Sequence, residues 1–129
     1  MELDFEKLGG LIPAVVQDER SGEVLMLGFM NEAALEETLR SGNVTFFSRS
    51  RNRLWKKGEL SGHRLVLREL RVDCDADSIL ARVEPLSPGV CHKGYRTCFY
   101  HRLNPDGTAT LVEERAFDPA SVYPKGASE

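Results

Sequence analysis

The sequence predicts an α+β domain of mostly antiparallel strands with one clear helix. Three observations predict it. The 129 residues suffice for one domain, with 41% hydrophobic and 29% charged residues, both ordinary globular values. Only one segment carries helical start and stop signals, whereas several short apolar runs alternate or cluster as strands do. The links between those runs are short, which suits antiparallel neighbours, because parallel strands need long crossovers.

In chain order, Leu11 to Val16 and Glu23 to Leu27 read as strands, joined by a hairpin-like Asp18-Glu19-Arg20-Ser21-Gly22. Pro13 cannot donate to a ladder, so the first strand is expected to be an edge at that point. Asn31 caps a helix from Glu32 to Arg40, with Gly42 beyond its end. Leu35 and Leu39 share a face of it, and Glu36 can pair with Arg40. Val44 to Phe47 reads as another strand, followed by a polar loop and then a strand from Leu65 to Cys74. Glu84 to Gly89 is a break. Cys98 to Leu103, the turn Asn104-Pro105-Asp106-Gly107 and Thr108 to Val112 form a terminal hairpin, making about seven strands in all. Residues 1–117 are taken as the domain and 118–129 as an irregular tail, in which Pro119, Pro124 and Gly126 discourage regular structure.

The net charge of −3 excludes a generally basic nucleic-acid binder, and no apolar run approaches the roughly 20 residues of a membrane helix. The N-terminus is acidic and lacks an apolar signal core. Three cysteines cannot all pair within one chain, which points away from a disulfide framework and towards a reducing cytoplasm.

Cys74, Cys91 and Cys98 all lie within 25 consecutive residues. Thiolates are soft ligands that select zinc. Three protein ligands leave a fourth position for water, the pattern of a catalytic site. If one chain cannot gather them, a symmetric dimer can share them. The competing reading is three small buried residues. His92, beside Cys91, is a candidate proton shuttle or further ligand.

Strand alternation through Leu70 to Asp77 would put Arg71, Asp73, Asp75 and Asp77 on one side. Converging carboxylates invite a hard divalent ion such as Mg²⁺, and a solvated acidic hairpin tip is the alternative. Asp73, Asp75, Asp77 and Glu84 also match four places of an EF-hand loop. Ser78 stands where that loop needs Gly, and Pro85 blocks its exiting helix, so the match is set aside.

From Arg49 to Lys57, five of nine positions are cationic and none is acidic. Arg49, Arg51, Arg53 and Lys57 suit the oxygens of an anionic ligand, and Trp55 can stack on a base or simply pack. A solvated charged loop is the plainer alternative.

These residues carry a resemblance. Ser48-Arg49-Ser50-Arg51, Leu54-Trp55, Lys57-Gly58-Glu59 and Ser61-Gly62 resemble phosphoribosyl-AMP cyclohydrolase. So do Asp73-Cys74-Asp75-Ala76-Asp77, Cys91-His92, Gly94 and Cys98-Phe99-Tyr100, and the earlier runs 11–18, 22–26 and Met30-Asn31. The resemblance spans about Gly10 to Tyr100. It implies a hydrolase that opens the adenine ring of 1-(5-phosphoribosyl)-AMP at N1–C6, the third step of histidine biosynthesis, by zinc-activated water.

It further implies an intertwined homodimer, zinc on Cys74, Cys91 and Cys98 drawn from different subunits, and Mg²⁺ on Asp73, Asp75 and Asp77. His92 would then move a proton, and Arg49, Arg51, Arg53 and Lys57 would grip the two phosphates of a nucleotide, with Trp55 near its base. The partners implied are that small nucleotide and a second copy, with no nucleic acid and no membrane. Three positions depart from the family: Ala76 stands for a usual Gly, Leu65 for Gln, and Lys93 for a small hydroxyl residue. The rival classes are a metal-stabilised RNA-binding module and a Mg²⁺-dependent phosphohydrolase. The first suffers from the lack of a fourth cysteine, and the second leaves all three idle.

Overall fold

A computed structural model describes residues 2–123 and contains, among them, eight strands and one α-helix. A four-stranded sheet has the order β2-β1-β6-β5, with β1 at Ile12–Asp18, β2 at Val24–Met30, β5 at Leu65–Val72 and β6 at Ile79–Pro85. Between β2 and β5 come α1 (Glu32–Ser41) and the pair β3 (Thr45–Ser48) and β4 (Arg53–Lys56). A last hairpin joins β7 (His101–Leu103) to β8 (Ala109–Leu111).

The fold is α+β and mostly antiparallel, as expected. The exception is β1 with β6, which run parallel from Ala14↔Ile79 to Asp18↔Val83. Their connection is the whole intervening half of the chain, long enough to reverse direction. Pro13 explains where that ladder starts. It lacks an N–H, and pairing to β6 begins one residue later, at Ala14.

Strand alternation builds the core. Ile12, Ala14 and Val16 of β1 and Ile79, Ala81 and Val83 of β6 all point inward, joined by Leu25, Met30, Val44, Phe46 and Leu65. The Phe46 ring lies so close over Gly28 that a Cβ there would come within 2.5 Å of it.

The helix caps are as expected. The Asn31 side chain accepts from the Ala34 N–H at 2.8 Å, and the Gly42 N–H donates to the Thr38 carbonyl at 2.9 Å. The expected buried face is shifted by one position. Ala34 and Thr38 are buried with Leu35 at their flank, while Leu39 is 59% exposed. Thr38 can occupy the core because its hydroxyl donates to Ala34 O at 2.8 Å and accepts from Thr45 N at 2.9 Å, tying helix to strand. Arg40 pairs with Glu37 instead of Glu36.

Three further expectations are corrected. The basic stretch is not all loop, since its second half is β4, paired to β3 from Ser48↔Arg53 to Thr45↔Lys56. The strand expected to reach Cys74 ends at Val72, and the terminal hairpin starts at His101 instead of Cys98. Local hydrogen bonds, described below, compete with the ladder at both places. In the tail, Asp118 caps a 3₁₀ turn at Pro119–Ser121 and Tyr123 is buried. Pro124, Lys125 and Gly126 lie outside the described residues. Among those residues, no helix is long and apolar enough to cross a membrane.

Candidate metal centres and the cationic cleft

The acidic cluster is a turn. After β5 the Asp73 carboxylate accepts from the N–H groups of Asp77 (3.0 Å) and Ser78 (3.2 Å) and from the Ser78 hydroxyl (2.7 Å). These bonds fold the chain back into β6. They also hold the Asp73 carboxyl far below the ordinary carboxylate range, with the Ser78 hydroxyl contributing most. Ala76 takes the strain at φ 61°, a conformation that a glycine would adopt freely.

One oxygen from each of Asp73, Asp75 and Asp77 lies within 4.8 Å of the others. The three therefore do converge, but by turning and not by strand alternation. Lys7 meets the cluster from the N-terminal segment, 3.0 Å from Asp77 and 3.6 Å from Asp75, and its ammonium is stabilised first by the Asp77 bond. The donor chemistry is all oxygen, with Asp73 and Asp75 exposed and Asp77 half-buried, and suits a hard divalent ion that keeps several waters.

The thiol site is built differently. The loop after β6 turns at Cys91 to Gly94, closed by Gly94 N to Cys91 O (3.0 Å) and Cys91 N to Tyr95 O (3.0 Å). Its far end is sewn to β2. The Cys98 N–H donates to Leu25 O at 2.7 Å, and the buried Thr97 hydroxyl donates to Val24 O at 2.8 Å. These bonds bring Cys91 and Cys98 into hydrogen-bonding reach of each other.

The Cys98 thiol donates to the Cys91 sulfur, which, with the Lys93 N–H and the nearby Lys57 cation, holds the Cys91 thiol down to about 6. The same bond pushes the Cys98 thiol well up. Cys91 is thus a ready thiolate near neutral pH. Cys74 is exposed at the acidic turn, 3.7 Å from Asp75, and does not join the pair. Among the described residues, the aspartates are the one group of three metal-donor side chains. A single chain gathers two of its three cysteines.

His92 sits half-buried in the turn, next to Cys91. Tyr95 and Tyr100 stack across the loop at 3.7 Å, with Arg115 over Tyr95 at 5.9 Å. The junction with the tail closes behind them, since a Cβ on Gly94 (φ 96°) would fall 2.5 Å from the Phe117 carbonyl and 3.0 Å from Pro119.

The cationic run divides. Arg49, Arg51 and Arg53 are exposed; Arg49 lies 4.1 Å over the Phe29 ring, and Arg53 bonds Glu59 at 2.9 Å. Trp55 is half-buried against Phe46, centroids 5.2 Å apart. Leu27, Phe29, Phe47, Arg49, Ser50 and Trp55 line an open cleft that combines aromatic walls with a cation. Lys57 departs from this group. It is buried, and its charge is felt by both Cys91 and Cys98. Its position at the start of Lys57-Gly58, beyond the end of β4, was not legible as inward-facing, because a charge run carries no periodicity that marks one member as buried.

A small α+β domain with a paired thiol and thiolate, a carboxylate cluster and a cationic aromatic cleft offers donors suited to a metal ion and to an anionic ligand. The family model described as phosphoribosyl-AMP cyclohydrolase matches residues 26–100. A phosphoribosyl-AMP cyclohydrolase of Desulforapulum autotrophicum is 54% identical over 95% of this chain and 98% of its own. One of Solibacter usitatus is 51% identical, covering 95% and 97%, and one of Geobacter sulfurreducens 50%, covering 95% and 98%. The chain belongs to the phosphoribosyl-AMP cyclohydrolase family. That membership displaces the RNA-binding and phosphohydrolase alternatives.

Proposed function

We propose that this chain opens the adenine ring of phosphoribosyl-AMP with the help of zinc held by Cys74, Cys91 and Cys98 and Mg²⁺ held by Asp73, Asp75 and Asp77. The ring opening itself is the family's activity, a hydrolytic step of histidine biosynthesis. Water adds across N1–C6. Its oxygen goes to C6, which becomes the carboxamide carbonyl, and the leaving N1 takes a proton as part of the formimino group. When bound, zinc supplies the Lewis acidity that makes water nucleophilic near neutral pH.

The observation that carries the reading is the Cys91–Cys98 pair, with Cys91 depressed to about 6. Two adjacent sulfurs with one thiolate already favoured form the soft half of a zinc site. Cys74 is exposed and therefore open to a second copy of the chain, which supports a homodimer with a shared site. His92, next to Cys91, is suited to carry the proton from water towards N1. Arg49 lines the open cleft and, with the exposed Arg51 and Arg53 that follow it in the chain, is suited to partner phosphate, and Trp55 offers an aromatic wall to the base. Three free thiols suit the reducing cytoplasm.

The direct experiment incubates the purified protein with phosphoribosyl-AMP and follows the ultraviolet change of ring opening. Turnover with both metals, abolished by chelation and restored by zinc with Mg²⁺, is the expected result. No turnover with both present would sink the reading.

A further inference from the structure

We infer that Thr97 is a positioning residue of the thiol site: its buried hydroxyl fixes the backbone on both sides of Cys98 and so sets where that sulfur can meet a metal. The inference rests on the proposal that Cys98 binds zinc. Cys98 belongs to no strand, because the terminal hairpin starts only at His101. No ladder within that hairpin holds it in place.

The holding falls to the Thr97 side chain. Thr97 is buried, at 3% exposure, although Cys98 and Phe99 directly after it are exposed. Its hydroxyl donates towards β2, with Val24 O at 2.8 Å and Leu25 O at 3.2 Å. The same oxygen accepts the Phe99 N–H at 3.0 Å, which closes a turn around Cys98. The Cys98 N–H donates to Leu25 O at 2.7 Å. The residues before, at and after Cys98 are thus tied to one point of β2, and the Cys98 side chain keeps little freedom beyond its own rotation. A hydroxyl can make these ties because it donates and accepts at once. Valine has nearly the same shape and does neither, so it would leave the Phe99 N–H without its partner. Metal sites need their ligands held within roughly 0.5 Å of the productive geometry. Groups that orient a metal ligand typically change metal affinity by roughly 10–100-fold when removed.

The test compares wild type with Thr97→Val, Thr97→Ala and Thr97→Ser, using zinc alone as the probe in competition with a chromogenic chelator. The expected result is a zinc Kd raised roughly 10–100-fold in Thr97→Val and Thr97→Ala. Thr97→Ser restores the hydroxyl and brings the Kd back close to wild type. The thiolate absorption of the cobalt(II)-loaded protein shifts in Thr97→Val and returns in Thr97→Ser. Thr97→Ala keeps the measurement available if Thr97→Val fails to fold. A lowered unfolding midpoint of the metal-free protein with an unchanged zinc Kd and cobalt spectrum overturns the inference, because the hydroxyl then serves stability alone. A loss of affinity in Thr97→Ser as large as in Thr97→Val also overturns it. A wild-type protein without zinc affinity overturns both this inference and the zinc reading beneath it.

Discussion

Asp73, Asp75 and Asp77 lie within five consecutive residues and are arranged by that stretch's own backbone, through three bonds to the Asp73 carboxylate. Cys91 and Cys98 are separated by a loop that, besides its own bonds, leans on other elements: Leu25 and Val24 of β2, and Phe117 just before the tail. The acidic cluster is largely exposed and its three carboxylates come from one chain, with Lys7 against it. The thiol cluster is partly buried and contains two of the three sulfurs, Cys91 buried and Cys98 exposed. A turn can organise donors cheaply because its atoms are already neighbours. A loop needs tertiary contacts to overcome its closure entropy, and in return it gains a low-dielectric setting in which one charge strongly affects another.

The sharpest way to break this comparison is Cys98→Ala. It removes a proposed ligand and the bond that holds the Cys91 thiol down. Bound zinc is expected to disappear and turnover to fall by more than about 100-fold, beyond the roughly 10–100-fold cost of losing a mere supporting group. Metal analysis and the ring-opening assay read both. Survival of zinc and activity would mean the ligand assignment is wrong.

A smaller effect is expected of Gly94→Ala. The new Cβ meets the Phe117 carbonyl and the backbone must hold a positive φ, so stability should drop by about 1–3 kcal/mol in chemical denaturation. An unaltered midpoint would show that the tail does not brace the thiol loop.

The mildest probe is acid. Asp73 has a folded pKa depressed below its unfolded value near 4, so its contribution is present above about pH 4 and fades as the pH falls further. Asp73→Asn should flatten that acid limb while leaving zinc affinity untouched. Coupled loss of zinc in this variant would show that the two regions are not independent.

Much of this was legible in the chain itself. The helix caps at Asn31 and Gly42, the β1 and β2 strands, and the hairpin around Asn104 to Gly107 follow from local chemistry, and all form as expected. The strand β4 was hidden because five cations mask the alternation of a short strand. The helix face was misplaced by one residue because Thr38 is polar, and only its two bonds, to Ala34 and Thr45, make it a core residue.

For the sites, the division is the same. Residue types and spacing alone determined that carboxylates would cluster at 73–77, that three thiols would be free, and that cations would gather at 49–57, since each depends only on chain neighbours or on counting. The tertiary structure decided that Cys91 pairs with Cys98 while Cys74 stands apart, and that Lys57 is buried while Arg49, Arg51 and Arg53 stay exposed. Those outcomes depend on which distant segments share the low-dielectric interior, and charge or spacing along a chain does not encode that distance.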